Sequence, residues 1–427
     1  MPRTKKTKIE SIQSPKGMHD ILPESQPLWE RIRKTARDIC EYYNFKRLDT
    51  PILEKAELFE RSVGEDTDIV EKEMFILKPK GKEKLALRPE ATAGIARAYI
   101  QHNLKQLGFP LKIYHEGSMF RYEQPQAARV REFRNIDFEI ISNDNDPIYD
   151  AQIILAAFRL LESLKIKNLC ININSIGCKN CRPNYKKKLQ AYYKIHKSKL
   201  CKDCERRLVL NPLRLLDCKQ EICQELKAGA PIALDNICAN CKNHFKKVLD
   251  YLEELELSYN LNHSLVRGLD YYTKTVFVIK VKDVGFEIAG GGRYDYLISQ
   301  LGGKMSPAVG CGVGIERIIE VLNAQGVKFT PRLKNKIFLV YIGELAKKKS
   351  LSLIEELRKA NIDVMEFFGQ ASLSAQLRKA DRVGAPYALI FGQKEVFEKS
   401  VILRDMKTGI QETVLFAKLA DVIKKKK

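Results

Sequence analysis

The sequence predicts an α+β fold in three parts. A large body of long strands and amphipathic helices is interrupted by a cysteine-rich helical segment and followed by a small α/β domain. Three observations carry this reading. "LKIYHEGSMFRY" and "REFRNIDFEIIS" are strand-like runs joined by a charged loop, Glu123–Arg131, and read as one long hairpin. From Cys178 to about Leu257 the pattern turns Lys-rich, Cys-rich and helical. Beyond residue 335 short apolar runs alternate with helical ones, as in "KIFLVYIG", "KKKSLSLIEELRKANI" and "YALIFG", which calls for a sheet covered by helices.

The elements follow in order. Residues 1–14 are basic and polar, a tail with nothing to bury. Leu28, Trp29, Ile32, Ala36, Ile39 and Cys40 recur at helical spacing, predicting a helix from about Gln26 to Asn44. "FKRLDTPILE" reads as a strand ending near Pro51, and "KAELFERSVG" as a short helix closed by Gly64. After the hairpin come the amphipathic helix "DPIYDAQIILAAFRLLESL" and the strand "NLCININSIG". The expected division is a main body over 15–327 carrying an insertion at 176–260, a linker at 328–334, and the small domain at 335–427.

Lys+Arg of 74 against Asp+Glu of 53 gives a net charge of +21, and removing the basic ends leaves the body basic. Such an excess favours a polyanionic partner, because basic surfaces release counterions from nucleic acid. No run approaches the roughly 18 apolar residues needed to span a bilayer. With no leader-like pattern and cysteines grouped as CxxC pairs, the expected setting is the cytoplasm.

Chemistry concentrates in four segments. "LVRGLDYYTKTVF" sets Arg267 beside the phenols Tyr271 and Tyr272. "FRYEQPQAARVREFRNIDFE" holds Arg121, Arg129 and Arg131, and "GCGVGIERII" holds Arg317 at a predicted helix start. "AGGGRYD", Ala289–Asp295, is glycine-dense, so a backbone there can approach a ligand closely. Arginine suits phosphate because it is always charged and donates in a fork.

Taken in this order, the segments resemble histidyl-tRNA synthetase, of class II (subclass IIa) of the aminoacyl-tRNA synthetases. The likeness runs from "PKGMHDILP" at Pro15–Pro23 to the C-terminal domain. It implies a catalytic domain built on an antiparallel sheet flanked by helices, with a helical insertion and a C-terminal anticodon-binding domain. It implies a homodimer that uses ATP and Mg²⁺ to form histidyl-adenylate from L-histidine and then charges tRNA(His). Carried over residue by residue, Arg121 grips the α-phosphate and the reacting carboxylate. Glu123 meets the adenine, while Arg129 and Arg317 meet the far phosphates. Arg267 is the chief electrostatic catalyst. Glu90, Ala91, Thr92 and Asn135 surround the substrate amine, and Glu139, Tyr271 and Tyr272 the imidazole. The insertion would embrace the acceptor arm of the tRNA.

The chain departs from the family's pattern at four places. Asn135 stands where Gln is usual, Ala128 replaces the glycine before Arg129, Arg134 stands for His or Tyr, and Tyr296 for the glycine after "GRYD". Two rival readings follow from relatives: the regulatory paralogue of ATP phosphoribosyltransferase, and an RNA-binding module without catalysis. Retention of Arg121, Arg267, Arg317 and the C-terminal domain argues against the first, and the intact RGLDYYT segment against the second.

Eight cysteines fall in the insertion: Cys178, Cys181, Cys201, Cys204, Cys218, Cys223, Cys238 and Cys241. Three CxxC pairs suit tetrahedral thiolate zinc. Buried free thiols acting as small hydrophobes remain the alternative. The expectation is one or two structural zinc ions, each held by four thiolates and without a catalytic role.

Overall fold

The computed structural model describes residues 11–426, apart from 65, 82, 127, 283, 328, 330–336 and 370–371. The start of the expected tail and all of the expected linker except Phe329 therefore lie outside the described residues. The chain divides after Phe329 into two compact units.

In the first unit the elements run β1 (Lys46–Arg47), β2 (Leu53–Lys55), β3 (Ile76–Leu77), β4 (Leu85–Leu87), β5 (Leu111–Phe120), β6 (Glu132–Ile141), β7 (Leu169–Ser175), β8 (Tyr259–Leu261), β9 (Thr273–Val281), β10 (Glu287–Arg293) and β11 (Ala308–Gly314). The helices are α1 (Gln26–Tyr42), α2 (Ala56–Val63), α3 (Thr92–Gln101), α4 (Ile148–Ser163), α5 (Arg182–Ile195), α6 (Lys202–Leu210), α7 (Glu221–Lys227), α8 (Ala239–Glu254), α9 (Leu297–Gln300) and α10 (Ile315–Ala324). Among the described residues eight strands form one sheet in the order β1-β5-β6-β11-β10-β9-β7-β8. Its six inner strands pair antiparallel, and only the edge strands β1 and β8 run parallel to their neighbours.

The run "FKRLDTPILE" is not one strand. Lys46–Arg47 joins the large sheet, while Leu53–Lys55 pairs with β4 in a separate three-stranded sheet. Pro51 lies between them; lacking an N–H, it cannot continue a ladder.

Strand alternation builds the two faces of the sheet. Ile136, Phe138 and Ile140 of β6 and Phe277, Ile279 and Val281 of β9 face one way, into a core shared with α1, α4, α8 and α10. The neighbours between them face the opposite way. There Ile113, Val276 and Val278 meet α3 and the cysteine-rich segment. The segment's buried residues Tyr185, Leu189 and Leu215 thus share a core with the sheet, and Phe245 and Val248 of α8 join the other one. Asp146, just before the N-cap Pro147, accepts from the Ile148 N–H at 2.9 Å, an Asx turn leading into α4.

The second unit carries β12 (Ile337–Tyr341), α11 (Glu344–Lys359), β13 (Val364–Glu366), α12 (Leu373–Arg382), β14 (Tyr387–Phe391), α13 (Gln393–Glu398), β15 (Ser400–Asp405), β16 (Gln411–Leu415) and α14 (Phe416–Lys425). Its sheet runs β13-β12-β14-β15-β16, parallel in the first three strands and antiparallel in the last. Both faces are covered, giving two small cores.

Among the described residues no helix is long and apolar enough to cross a membrane.

Candidate active site

The site lies on the face of the sheet that carries Asn135, Asp137 and Glu139, spaced by two along β6. β11 pairs Gly310 with Glu139. A Cβ at Gly310 would stand 1.5 Å from Glu139 Oε2, and one at Gly290 of β10 would stand 2.7 Å from the Arg267 guanidinium. The glycines are therefore the floor on which two long charged side chains lie.

One end of the floor is a carboxylate pocket. Glu139 accepts from Thr92 Oγ1 at 2.6 Å and from the hydroxyl of Tyr294. Burial pushes its carboxyl up to about 8, against the downward pull of those two donors. Glu90 is held at the start of α3, where it accepts from the backbone N–H of Thr92 at 2.8 Å and of Ala93 at 2.9 Å. Tyr271 adds its hydroxyl to Glu90 at 3.3 Å, and burial raises this carboxyl too. Ala91 sits at the turn between them. The rings of Tyr271 and Tyr272 lie 4.7 Å apart, and Tyr294 packs edge-on to Tyr271. Asn135 is turned toward Asp137, to which its Nδ2 donates at 3.3 Å.

The other end is a cluster of arginines. Arg121, just past β5, donates Nε to the Pro89 carbonyl at 3.0 Å and lies over Phe133. Arg129 reaches Glu123 at 3.4 Å. Arg267 pairs with Glu287 at 2.8 Å, with its side chain 22% exposed. Arg317, on the first turn of α10, donates to the backbone carbonyl of Glu287 at 2.6 Å. Burial pushes Arg317 down to about 10, and the positive charges of Arg129, Arg121 and Arg267 push it the same way. Burial works against the charge of Arg267 as well, but Glu287, with smaller help from Tyr272 and Cys311, raises that group on balance. Among the described residues neither Arg121 nor Arg317 has a carboxylate in ion-pair range. Four cations converge on one end of a cleft with two carboxylate partners, an arrangement that an anion with several charges completes.

The structure thus gathers the predicted arginines at one end and Glu90, Thr92, Glu139, Tyr271 and Tyr272 at the other. Two residues in it were not singled out from sequence. Tyr294, inside the "AGGGRYD" segment, is the phenol bonded to Glu139. Glu287 holds Arg267 by its side chain and Arg317 by its carbonyl, and no sequence signal pointed to it. The departures also have local accounts. Ala128 adopts φ +58°, a conformation natural to glycine. Arg134 is tied to Glu316 by both its backbone N–H (2.9 Å) and its guanidinium (3.3 Å) and faces Trp29.

The cysteines sort into two quartets, Cys178/Cys181/Cys238/Cys241 and Cys201/Cys204/Cys218/Cys223, with the sulfurs of each within 4.8 Å of one another. Among the described residues these are the groups of three or more metal-type ligands close enough to share an ion.

An antiparallel sheet that bears an arginine cluster at one end of a glycine floor and paired acids at the other is the active-site architecture of a class II aminoacyl-tRNA synthetase. The histidyl-tRNA synthetase family model matches residues 17–318, and an anticodon-binding domain model matches 336–426. A histidine–tRNA ligase of Dehalococcoides mccartyi is 46% identical over 415 residues, covering 97% of this chain and 99% of that one. One from Halothermothrix orenii is 42% identical over 417 residues, with the same coverage. The crystal structure of apo Staphylococcus aureus histidyl-tRNA synthetase superposes with a TM-score of 0.81 at 30% identity, covering 97% of this chain and all of that one. The chain belongs to the histidyl-tRNA synthetase family.

Proposed function

We infer that the arginine cluster receives the triphosphate of ATP and that the Glu139 pocket receives the substrate histidine, side by side on the glycine floor. The chain is a histidine–tRNA ligase. It joins L-histidine to ATP to give histidyl-adenylate and pyrophosphate, then passes the histidyl group to the 3′ end of tRNA(His).

In the first step a histidine carboxylate oxygen attacks the α-phosphorus, and the bond from that phosphorus to the pyrophosphate oxygen breaks. Arg121 and Arg267 lie where the new negative charge develops, and fixed cations there stabilise it without reorganising at the moment of reaction. Arg317 and Arg129 hold the leaving pyrophosphate, and Glu123 is positioned for the adenine. Glu90, Ala91, Thr92 and Asn135 surround the ammonium. Glu139, with Tyr271 and Tyr272, takes the imidazole, which presents one donor and one acceptor. In the second step a terminal ribose hydroxyl of the tRNA attacks the carbonyl carbon and AMP leaves.

ATP is used with Mg²⁺, as in the family. Mg²⁺ is usually held by substrate phosphates with one or two carboxylates. The cysteine quartets are assigned structural zinc, outside the chemistry. The insertion at 176–260 contacts the acceptor arm, the unit at 335–427 binds the anticodon, and the enzyme acts as a homodimer in the cytoplasm.

The convergence of four arginines on one cleft end carries this reading. ATP–pyrophosphate exchange with each of the twenty amino acids tests it. Exchange with histidine alone is expected. No exchange from a folded protein would overturn the site assignment and favour a regulatory paralogue.

A further inference from the structure

We propose that the two cysteine quartets are separate tetrathiolate zinc sites that grip the Asp270–Lys274 segment from its two ends, so that the ions position the residues that bind histidine. The proposal rests on the site reading above and deepens it.

The sulfur spacing is the first observation. A zinc ion bonded to four thiolates at about 2.3 Å places its sulfurs about 3.8 Å apart along each edge of the tetrahedron. The bonded sulfur pairs here are Cys178–Cys181 at 3.7 Å, Cys181–Cys241 at 3.9 Å and Cys201–Cys218 at 3.8 Å. Backbone amides also point at sulfur. The Cys178 N–H donates to Cys181 Sγ at 3.2 Å and the Cys201 N–H to Cys223 Sγ at 3.4 Å. Amides so aimed favour the deprotonated thiolate that a metal requires, as partners behind metal ligands generally do. Each site forms as Zn²⁺ binds and the thiol protons leave to solvent.

The second observation is what each quartet holds. In the first, Cys178 and Cys181 open α5 beside Gly177 and Arg182. The Gly177 carbonyl accepts from Thr273 Oγ1 at 3.1 Å and from the Lys274 N–H at 2.9 Å, and the Ile176 N–H donates to the Lys274 carbonyl at 2.8 Å. Arg182 bridges the carbonyls of Gly177 and Tyr272. The second quartet closes a loop between Cys204 and Cys218 that contains Asn211 and Arg214. Asn211 donates to both oxygens of Asp270 at 2.9 and 3.0 Å, and Arg214 pairs with Asp68 at 2.9 Å. One quartet thus fixes Tyr272–Lys274 and the other fixes Asp270. Between the two anchors stands Tyr271, whose hydroxyl reaches Glu90. Lys179, between the first two ligands, also lies over the ring of Tyr296, 5.0 Å from its centroid. Tyr296 is the departure that follows "GRYD", so the first quartet touches that segment as well.

The test uses the full-length enzyme purified in reductant without chelator. Elemental analysis should give two zinc ions per chain, one per quartet. The double variant Cys238→Ser/Cys241→Ser should lose one ion and keep the other. Arg182→Met and Asn211→Ala leave all eight ligands in place and should keep both ions. Because a small misplacement of a binding group costs up to a hundredfold, each should raise KM for histidine by roughly tenfold or more while KM for ATP stays within about twofold. A folded wild-type enzyme with full histidine-dependent exchange and only trace zinc would overturn the metal assignment. Two bound zinc ions with an unchanged KM for histidine in both Arg182→Met and Asn211→Ala would overturn the positioning role and leave the metal sites standing. Two bound ions without histidine exchange in the wild type would overturn the site reading itself, and the positioning role with it.

Discussion

At the arginine end of the cleft four cations crowd together, with Glu287 and Glu123 as their ion-pair partners among the described residues, and burial, reinforced by the neighbouring positive charges, depresses Arg317. At the acid end, proposed for histidine, buried carboxylates are met by hydroxyls and amides: Glu139 by Thr92 and Tyr294, Glu90 by the start of α3 and Tyr271. The first end is electrostatically incomplete until an anion arrives. The second is already hydrogen-bonded and must trade one bond for another when its ligand binds. The difference teaches where each end should fail. Loss of an arginine removes stabilisation of the transition state, whereas loss of an acid removes recognition of one substrate.

The largest effect is therefore expected from Arg267→Ala. Removing one preorganised donor to developing charge costs about 10²–10³ in rate, roughly 2.7–4 kcal/mol. The loss should fall on the exchange kcat, with KM for histidine changed much less. A defect confined to KM would move Arg267 from the reacting phosphate to ground-state binding and dissolve the contrast between the two ends.

Glu139→Gln should act at the other end. Above about pH 8, where Glu139 is ionised, a hydrogen bond to its charge contributes about 1.5–3 kcal/mol, so KM for histidine should rise there by roughly tenfold to a hundredfold, with KM for ATP unchanged. If both KM values rose together, the two ends would not be separate sites.

Much of the arginine end was legible because phosphate chemistry demands a particular residue type, and Arg121, Arg129, Arg267 and Arg317 sit in segments whose strand or helix start could be read. The acid end was only half legible. That Glu139 and Asn135 share a face follows from the strand period of two. That Tyr294 reaches Glu139 depends on how β11 aligns between β6 and β10, and a single strand's pattern does not contain that register. Glu287 was hidden for the same reason: its partners, Arg267 and Arg317, lie 20 and 30 residues away and meet it only once the sheet is assembled. The split of "FKRLDTPILE" into two sheets belongs to this group, since Pro51 marks a break but not which sheet each half joins.

The acid end also predicts a pH dependence. With Glu139 raised to about 8, the free enzyme carries a proton there at neutrality and accepts the imidazole N–H poorly. Above the ordinary imidazole value of about 6.5, the ligand is neutral and only Glu139 remains to lose its proton. Histidine affinity should then climb with pH, up to about tenfold per unit between roughly 6.5 and 8, and level off above. The slope should vanish in Glu139→Gln, while the affinity for ATP shows no matching slope. A flat profile in the wild type would mean that the complex keeps the proton, shared between Glu139 and the imidazole.

The smallest effect is expected from Ala128→Gly, which probes the loop that carries Arg129. The left-handed backbone at Ala128 costs an L-residue about 1–2 kcal/mol, and glycine removes that cost. Glycine also loosens the loop when it is not seated on ligand, an opposing cost of roughly 0.5–1 kcal/mol. The two nearly cancel, so KM for ATP should shift by less than about fivefold, and KM for histidine should not move. The direction sharpens the comparison. A lower KM for ATP would mean that strain at Ala128 holds the arginine end back from its anion. A higher one would mean that the stiff loop presents Arg129 ready-made, as the hydrogen-bonded acids are at the other end.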